Sequence, residues 1–218
     1  MEERIWAHEE IYKIYEKIKG EITLRLNEFK LSLKDGSEER IFSELVFCIL
    51  TPQSKARLCW AAVENLVNKK PLLRGNKNQI TKELNGVRFK YKKAEYIVKA
   101  RKQFSVDGKI AIKSLIGQFN DVCDAREWLV KNVKGIGYKE ASHFLRNIGL
   151  GENLAILDRH ILKNLNSLGL IDKISGALLR ERYFEIEKKM REFAEKINIP
   201  MSHLDLVLWY KETGEIFK

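Results

Sequence analysis

Apolar residues recur three and four positions apart along most of the chain, as in Ala141, Phe144, Leu145 and Ile148, then Ile161, Leu162, Leu165 and Leu168, then Ile186, Met190, Phe193 and Ile197. A helix turns once every ~3.6 residues, so this spacing lines one face of it, whereas a half-buried strand alternates at every second residue. The pattern predicts helices there and over residues 8–19, 38–50, 54–68, 91–104, 122–132 and 203–211. Asp35-Gly36, Pro71, Gly75-Asn76, Asn85-Gly86 and Ile199-Pro200 read as turns between them. One stretch supports two readings. Ile22, Leu24 and Leu26 alternate as in a strand, while Ile22, Leu26, Phe29 and Leu33 keep the helical spacing, and we read it as helix. With three prolines in the chain, no repeat and no low-complexity segment, nothing marks a linker. The expected fold class is all-α.

A chain of 218 residues with 44% apolar and 32% charged residues is long and apolar enough to bury a core. Its longest apolar runs, Leu45 to Leu50 and Leu58 to Val63, are six residues each, far below the ~20 that cross a bilayer. The opening MEERIWAHEE lacks the basic, apolar and small-residue order of a secretory signal, so a cytoplasmic protein is expected. Cys48, Cys59 and Cys123 fall in no C-x-x-C spacing and the four histidines in no metal-type spacing. A disulfide framework, a four-cysteine zinc site and an iron–sulfur cluster are therefore excluded on ligand arithmetic, and no metal site is expected from side chains.

Charge is more informative by position than in total. Of 40 basic and 30 acidic residues, the window Lys69 to Lys102 holds twelve lysines and arginines against only Glu83 and Glu95, which leaves 28 of each sign elsewhere. The net +10 is thus local, as suits a polyanion whose neutralised phosphates release counterions. Nucleic acid is the partner this favours, with a solvated lysine-rich face as the plainer alternative. A membrane surface fits less well, because the window has no long apolar face.

The chemistry concentrates around Val133-Lys134-Gly135-Ile136-Gly137-Tyr138-Lys139-Glu140-Ala141, between two predicted helices. Gly135 and Gly137 permit close backbone approach, and their N–H groups with those of the next helix N-terminus would make a phosphate site. A dinucleotide-binding loop is discarded, since the third glycine and the preceding strand are missing. An ordinary helix–helix turn is the bland alternative. Lys139 falls in the first helical turn, where the helix dipole disfavours a cation, so a second role is sought for it. Partial burial among cations would make its amine more nucleophilic. Nineteen residues on, Asp158 opens Asp158-Arg159-His160-Ile161-Leu162 ahead of an apolar stripe, the place of an N-cap.

The run Lys134-Gly135-Ile136-Gly137-Tyr138-Lys139, followed by Ile156-Leu157-Asp158-Arg159-His160, resembles the helix-hairpin-helix DNA glycosylases. Within them it is most similar to the prokaryotic type-2 branch of the 8-oxoguanine DNA glycosylase/lyases, the small Ogg enzymes. Leu50-Thr51-Pro52-Gln53-Ser54-Lys55-Ala56, Gly86-Val87-Arg88-Phe89 and the end from Trp209 to Lys218 extend the resemblance over most of the chain.

The resemblance implies two helical subdomains flanking a DNA-binding groove. Residues 1–34 and 170–218 would form one and residues 35–169 the other, with the helix-hairpin-helix motif at about 122–149. It implies Lys139 as the nucleophile and Asp158 as the essential carboxylate of a bifunctional enzyme that excises 8-oxoguanine and cleaves the strand. Gln53 would fill the space left by the flipped base, with Gly135 and Gly137 also on the DNA. Trp209 and Lys218, the latter through its terminal carboxylate, would recognise the damaged base, with Phe89 stacking there too. Structural alternatives are a helix cap for Gln53, core for Trp209 and a plain chain end for Lys218. No cofactor is implied beyond a sodium or potassium ion on the hairpin carbonyls. The partner would be double-stranded DNA containing 8-oxoguanine, met by a monomer in the cytoplasm at the nucleoid. The rivals are a related glycosylase for another lesion and a DNA-binding module without catalysis.

Overall fold

The computed structural model describes residues 2–174, 176 and 178–218, with side chains from residue 9 onward. These residues form α1 (Glu2–Asp35), α2 (Glu38–Leu50), α3 (Ala56–Asn68), α4 (Pro71–Arg74), α5 (Lys77–Glu83) and α6 (Lys90–Gln103). Then come the strands β1 (Ser105–Val106) and β2 (Lys109–Ile110), followed by α7 (Ile112–Ile116), α8 (Val122–Asn132) and α9 (Tyr138–Asn147). The chain closes with α10 (Arg159–Ser167), α11 (Arg180–Lys196) and α12 (Met201–Thr213). The all-α expectation holds. Its one departure is the β1–β2 hairpin, in which Ser105 pairs with Ile110 and Val106 with Lys109. Asp107 and Gly108 turn it with φ of 48° and 74°. Asp-Gly is the sequence signal for such a two-residue turn.

The chain divides into two compact units, one made of both ends, up to Phe29 and from Gly151, and one made of Lys30–Leu150. The end unit therefore includes residues 151–169, which the resemblance places with the middle, and residues 30–34 fall in the central unit instead of the end one. The reason is local packing. Buried Glu187 on α11 accepts the Ala155 N–H at 2.8 Å, Tyr183 donates its hydroxyl to the Ala155 carbonyl at 2.6 Å, and α10 packs on α12. The ambiguous stretch 22–33 lies inside a single helix, α1, whose Ile11, Tyr15, Ile18, Ile22, Leu26 and Phe29 form one buried stripe.

The central unit is built around α2. Every residue from Ile41 to Leu50 is buried, because α3, α6, α7 and α9 all pack against this helix. Ser37 caps its N-terminus by accepting the Arg40 N–H. Its C-terminal carbonyls open onto the turn that leads to α3.

Candidate active site

In the central unit the site is assembled by α8, a hairpin and α9. Asp121 caps α8 by accepting the Cys123 N–H at 2.8 Å, and α8 ends where Val133 leaves helical geometry. Gly135 turns the hairpin at φ +88°, and a Cβ there would lie 2.5 Å from Cδ2 of the Tyr96 ring, so both conformation and space demand glycine. Gly137, at φ −105°, needs no such freedom, and its N–H is accepted by the Glu140 carboxylate at 3.1 Å. The outward phosphate-binding amides expected of the hairpin thus exclude that of Gly137, which is engaged within the motif. Lys134 and Gly135 are exposed and Ile136 is buried, so the hairpin is anchored by its apolar tip.

Lys139 stands in the first turn of α9 with its side chain 23% exposed. Its Nζ is 3.0 Å from Oε1 of Glu140 and 3.4 Å from Oγ1 of Thr51. Glu140 therefore ties the ammonium to the hairpin backbone and offsets the unfavourable helix dipole. Sequence reasoning missed this role, although a glutamate three residues after the helix start is a capping-box signal.

Thr51 begins the turn out of α2. Its hydroxyl donates to the Cys48 carbonyl at 2.9 Å, and the Ser54 N–H donates back to the Thr51 carbonyl at 2.9 Å. Between them Gln53 is exposed at φ 56°. It does not cap α3, whose N-cap residue Lys55 has no side-chain cap bond. Beneath the turn lies Lys93, 4% exposed, whose Nζ donates to the carbonyls of Leu50 and Pro52, both at 2.7 Å, and to Oγ of Ser54 at 3.1 Å. Burial pulls its pKa below the ordinary lysine value. The Leu50 carbonyl also accepts the Cys59 thiol at 3.1 Å, and burial pushes that thiol up to about 11. Ser54 Oγ further accepts the Arg88 N–H at 3.1 Å, which joins this turn to the one carrying Phe89, 56% exposed at φ 57°.

The end unit holds the other candidates. Asp158 caps α10, its Oδ1 accepting the N–H groups of His160 at 2.8 Å and Ile161 at 2.9 Å. The His160 ring meets Trp209 edge to face, with centroids 5.2 Å apart, and the Trp209 indole N–H is buried without a hydrogen-bond partner among the described residues. Glu212, a turn along α12, accepts Lys163 at 2.8 Å and Asn164 at 3.2 Å, with His160 Nδ1 3.7 Å away. The Lys163 hydrogen bond holds that carboxyl below its ordinary range, against the opposing effect of burial. Lys218 is half-buried at the end of the chain.

Lys139, Gly135, Gly137, Gln53 and Phe89 thus belong to the central unit, and Asp158, Trp209 and Lys218 to the end unit. Phe89 shares its unit with Gln53 and not with the other two base-recognition candidates. No group of three or more His, Cys, Asp or Glu that could hold a metal occurs among the described residues. No described helix is long and apolar enough to cross a membrane.

Comparison with known proteins gives a consistent result. The family model described as Ogg-HhH, 8-oxoguanine DNA glycosylase, matches residues 22–199. The 8-oxoguanine DNA glycosylase/AP lyase of Fusobacterium nucleatum is 49% identical over 209 residues, covering 96% of each chain. The crystal structure of the Thermotoga maritima 8-oxoguanine DNA glycosylase superposes with a TM-score of 0.88 at 37% identity, over 99% of this chain and all of that one. A Methanocaldococcus jannaschii 8-oxoguanine glycosylase/lyase, solved with a 15mer DNA containing 8-oxoguanine, also superposes with a TM-score of 0.88, at 40% identity over 97% of this chain and 99% of that one.

Proposed function

The chain belongs to the helix-hairpin-helix family of 8-oxoguanine DNA glycosylases, and from that membership we propose that it removes 8-oxoguanine from DNA and then cleaves the strand, with Lys139 and Asp158 carrying the chemistry. The observation that carries the reading is a half-buried lysine in the first turn of α9, held by Glu140 and Thr51 directly after a glycine hairpin.

The base must leave the stack before its anomeric carbon can be reached. Gln53 then occupies the vacated space, and Trp209 with Lys218 receives the purine. Lys139, once its ammonium has lost a proton, attacks C1′, and the C1′–N9 bond breaks with its electron pair going to the base. Positive charge on the sugar is stabilised by Asp158. Two amides fix Oδ1 of that carboxylate, which leaves Oδ2 for the reacting sugar. Ring opening gives an imine between C1′ and Lys139. The imine acidifies C2′, whose proton departs as the C3′–O bond breaks and the 3′ phosphate leaves.

No cofactor enters these steps. The residues 133–137 bring main-chain carbonyl oxygens and no carboxylate, a neutral donor set that suits a sodium or potassium ion there. The enzyme would work as a monomer in the cytoplasm on nucleoid DNA.

The test is incubation with an 8-oxoguanine:cytosine duplex and sodium borohydride. A covalent protein–DNA band is expected with the native chain and none with Lys139→Gln. A band of equal strength from Lys139→Gln would remove Lys139 as nucleophile, and slower release of 8-oxoguanine than of other damaged bases would remove the substrate.

A further inference from the structure

Lys93 is one of the twelve cations of the basic window, yet its ammonium faces the interior. Its three N–H donors meet three acceptors, the carbonyls of Leu50 and Pro52 and the hydroxyl of Ser54. Desolvating an ammonium is costly and is tolerated only where its hydrogen bonds are complete. A methionine of similar length would fill the space without that cost, so the acceptors are what the charge is there for. Leu50 ends α2, and the negative end of the helix dipole favours a cation at this spot.

The other two acceptors, on Pro52 and Ser54, belong to the turn that carries Gln53. Gln53 takes a left-handed conformation which non-glycine residues avoid, and so does Phe89 on the adjoining turn. Such conformations persist when their surroundings over-determine them. Within the first turn the backbone supplies the Ser54 to Thr51 bond, and Lys93 supplies two more while its third ties the turn to the end of α2 at Leu50. Ser54 connects the two turns, accepting from Lys93 and from the Arg88 N–H. Thr51, at the start of the turn, also touches Lys139.

We infer that Lys93 is a positioning residue for base extrusion, its buried ammonium holding the Thr51–Ser54 turn, and through Ser54 the Phe89 turn, in the shape that presents Gln53 to DNA. The inference rests on the reading of Gln53 given above. Lys93 touches no reacting atom. Its loss should slow the steps that need an extruded base more than those that need only Lys139.

The experiment compares Lys93→Met, Ser54→Ala and Gln53→Ala with the native chain at saturating enzyme. Three quantities are measured: excision from an 8-oxoguanine:cytosine duplex, cleavage of a duplex with a preformed abasic site, and trypsin cleavage after Lys55. For Lys93→Met, excision is expected to fall by about tenfold or more, the scale of a small misplacement, with abasic-site cleavage within about threefold of native. Trypsin should cut after exposed Lys55 faster, because the turn has lost its anchor. Ser54→Ala removes one acceptor only and should show the same pattern more weakly, so a failure of Lys93→Met to fold leaves the inference testable. Native excision and native trypsin resistance in both variants would overturn it, as would equal losses of excision and abasic-site cleavage. If Gln53→Ala leaves excision unchanged, the reading of Gln53 fails by itself, and the trypsin result still decides whether Lys93 anchors the turn.

Discussion

At the scale of single residues, burial has separated groups that look alike in the sequence. Three cysteines are equivalent in the chain, but Cys48 and Cys59 are buried and Cys123 is exposed. Cys59 has its pKa pushed up to about 11 by burial, so only about a thousandth of it is thiolate at about pH 8. A raised acid pKa favours the folded state below the unfolded value, 9.0, and that contribution is lost as pH rises toward about 11. A thiol reagent at about pH 8 is therefore expected to label Cys123 alone in the native protein and all three cysteines in denaturant; rapid native labelling of Cys59 would contradict its burial. Lysines divide in the same way. Lys93 is inside with its donors satisfied, while Lys92 beside it on the chain is exposed. The sequence shows the two as neighbours in one basic run, and only packing tells them apart.

Among the elements, α1 shows how far local pattern reaches. Its stripe from Ile11 to Phe29 is legible as helical spacing, but the alternating triplet Ile22, Leu24 and Leu26 inside it also fits a strand, and the fold settles it as helix, with Ile22, Leu26 and Phe29 buried and Leu24 exposed. Gly20 lies in this helix, exposed, with nothing within 4 Å of where a Cβ would be. Gly20→Ala is thus expected to stabilise the protein by about 0.5–1 kcal/mol, since alanine loses less backbone freedom on entering a helix. A melting temperature that falls would show that the position is constrained in a way its surroundings do not indicate. The hairpin before α9 is the opposite case. Gly135 has a ring against it and a left-handed backbone, so its glycine is required, whereas the Gly137 amide is spent on Glu140. Two glycines two residues apart look interchangeable on the page and are not interchangeable in the fold.

For the whole molecule, the +10 of charge is distributed less simply than the window suggests. Lys93 is buried, Arg101 donates to the carbonyls of Pro71, Leu72 and Gly75, and Lys69, Lys77 and Lys99 pair with Glu83 or Glu95. The cations left for phosphate are fewer than twelve. Binding to undamaged duplex should weaken linearly in log salt, and Lys92→Gln or Lys134→Gln should each reduce the slope by about one. The same measurement on Lys93→Met should leave the slope unchanged, because that ammonium neutralises carbonyl dipoles and not phosphates; a loss of one there would place Lys93 on the DNA. What the sequence alone determined is what depends on local order along the chain: the helices, because apolar spacing is read turn by turn; the hairpin, because glycine spacing is; and the Lys139 and Asp158 positions, because each sits at a helix start. The tertiary structure alone decided which unit residues 151–169 join, that Thr51 meets Lys139, and that Lys93 anchors the Gln53 turn. Those contacts join residues far apart in sequence, up to 88 positions for Lys139 and Thr51, and no local pattern encodes which distant acceptor a buried donor will meet.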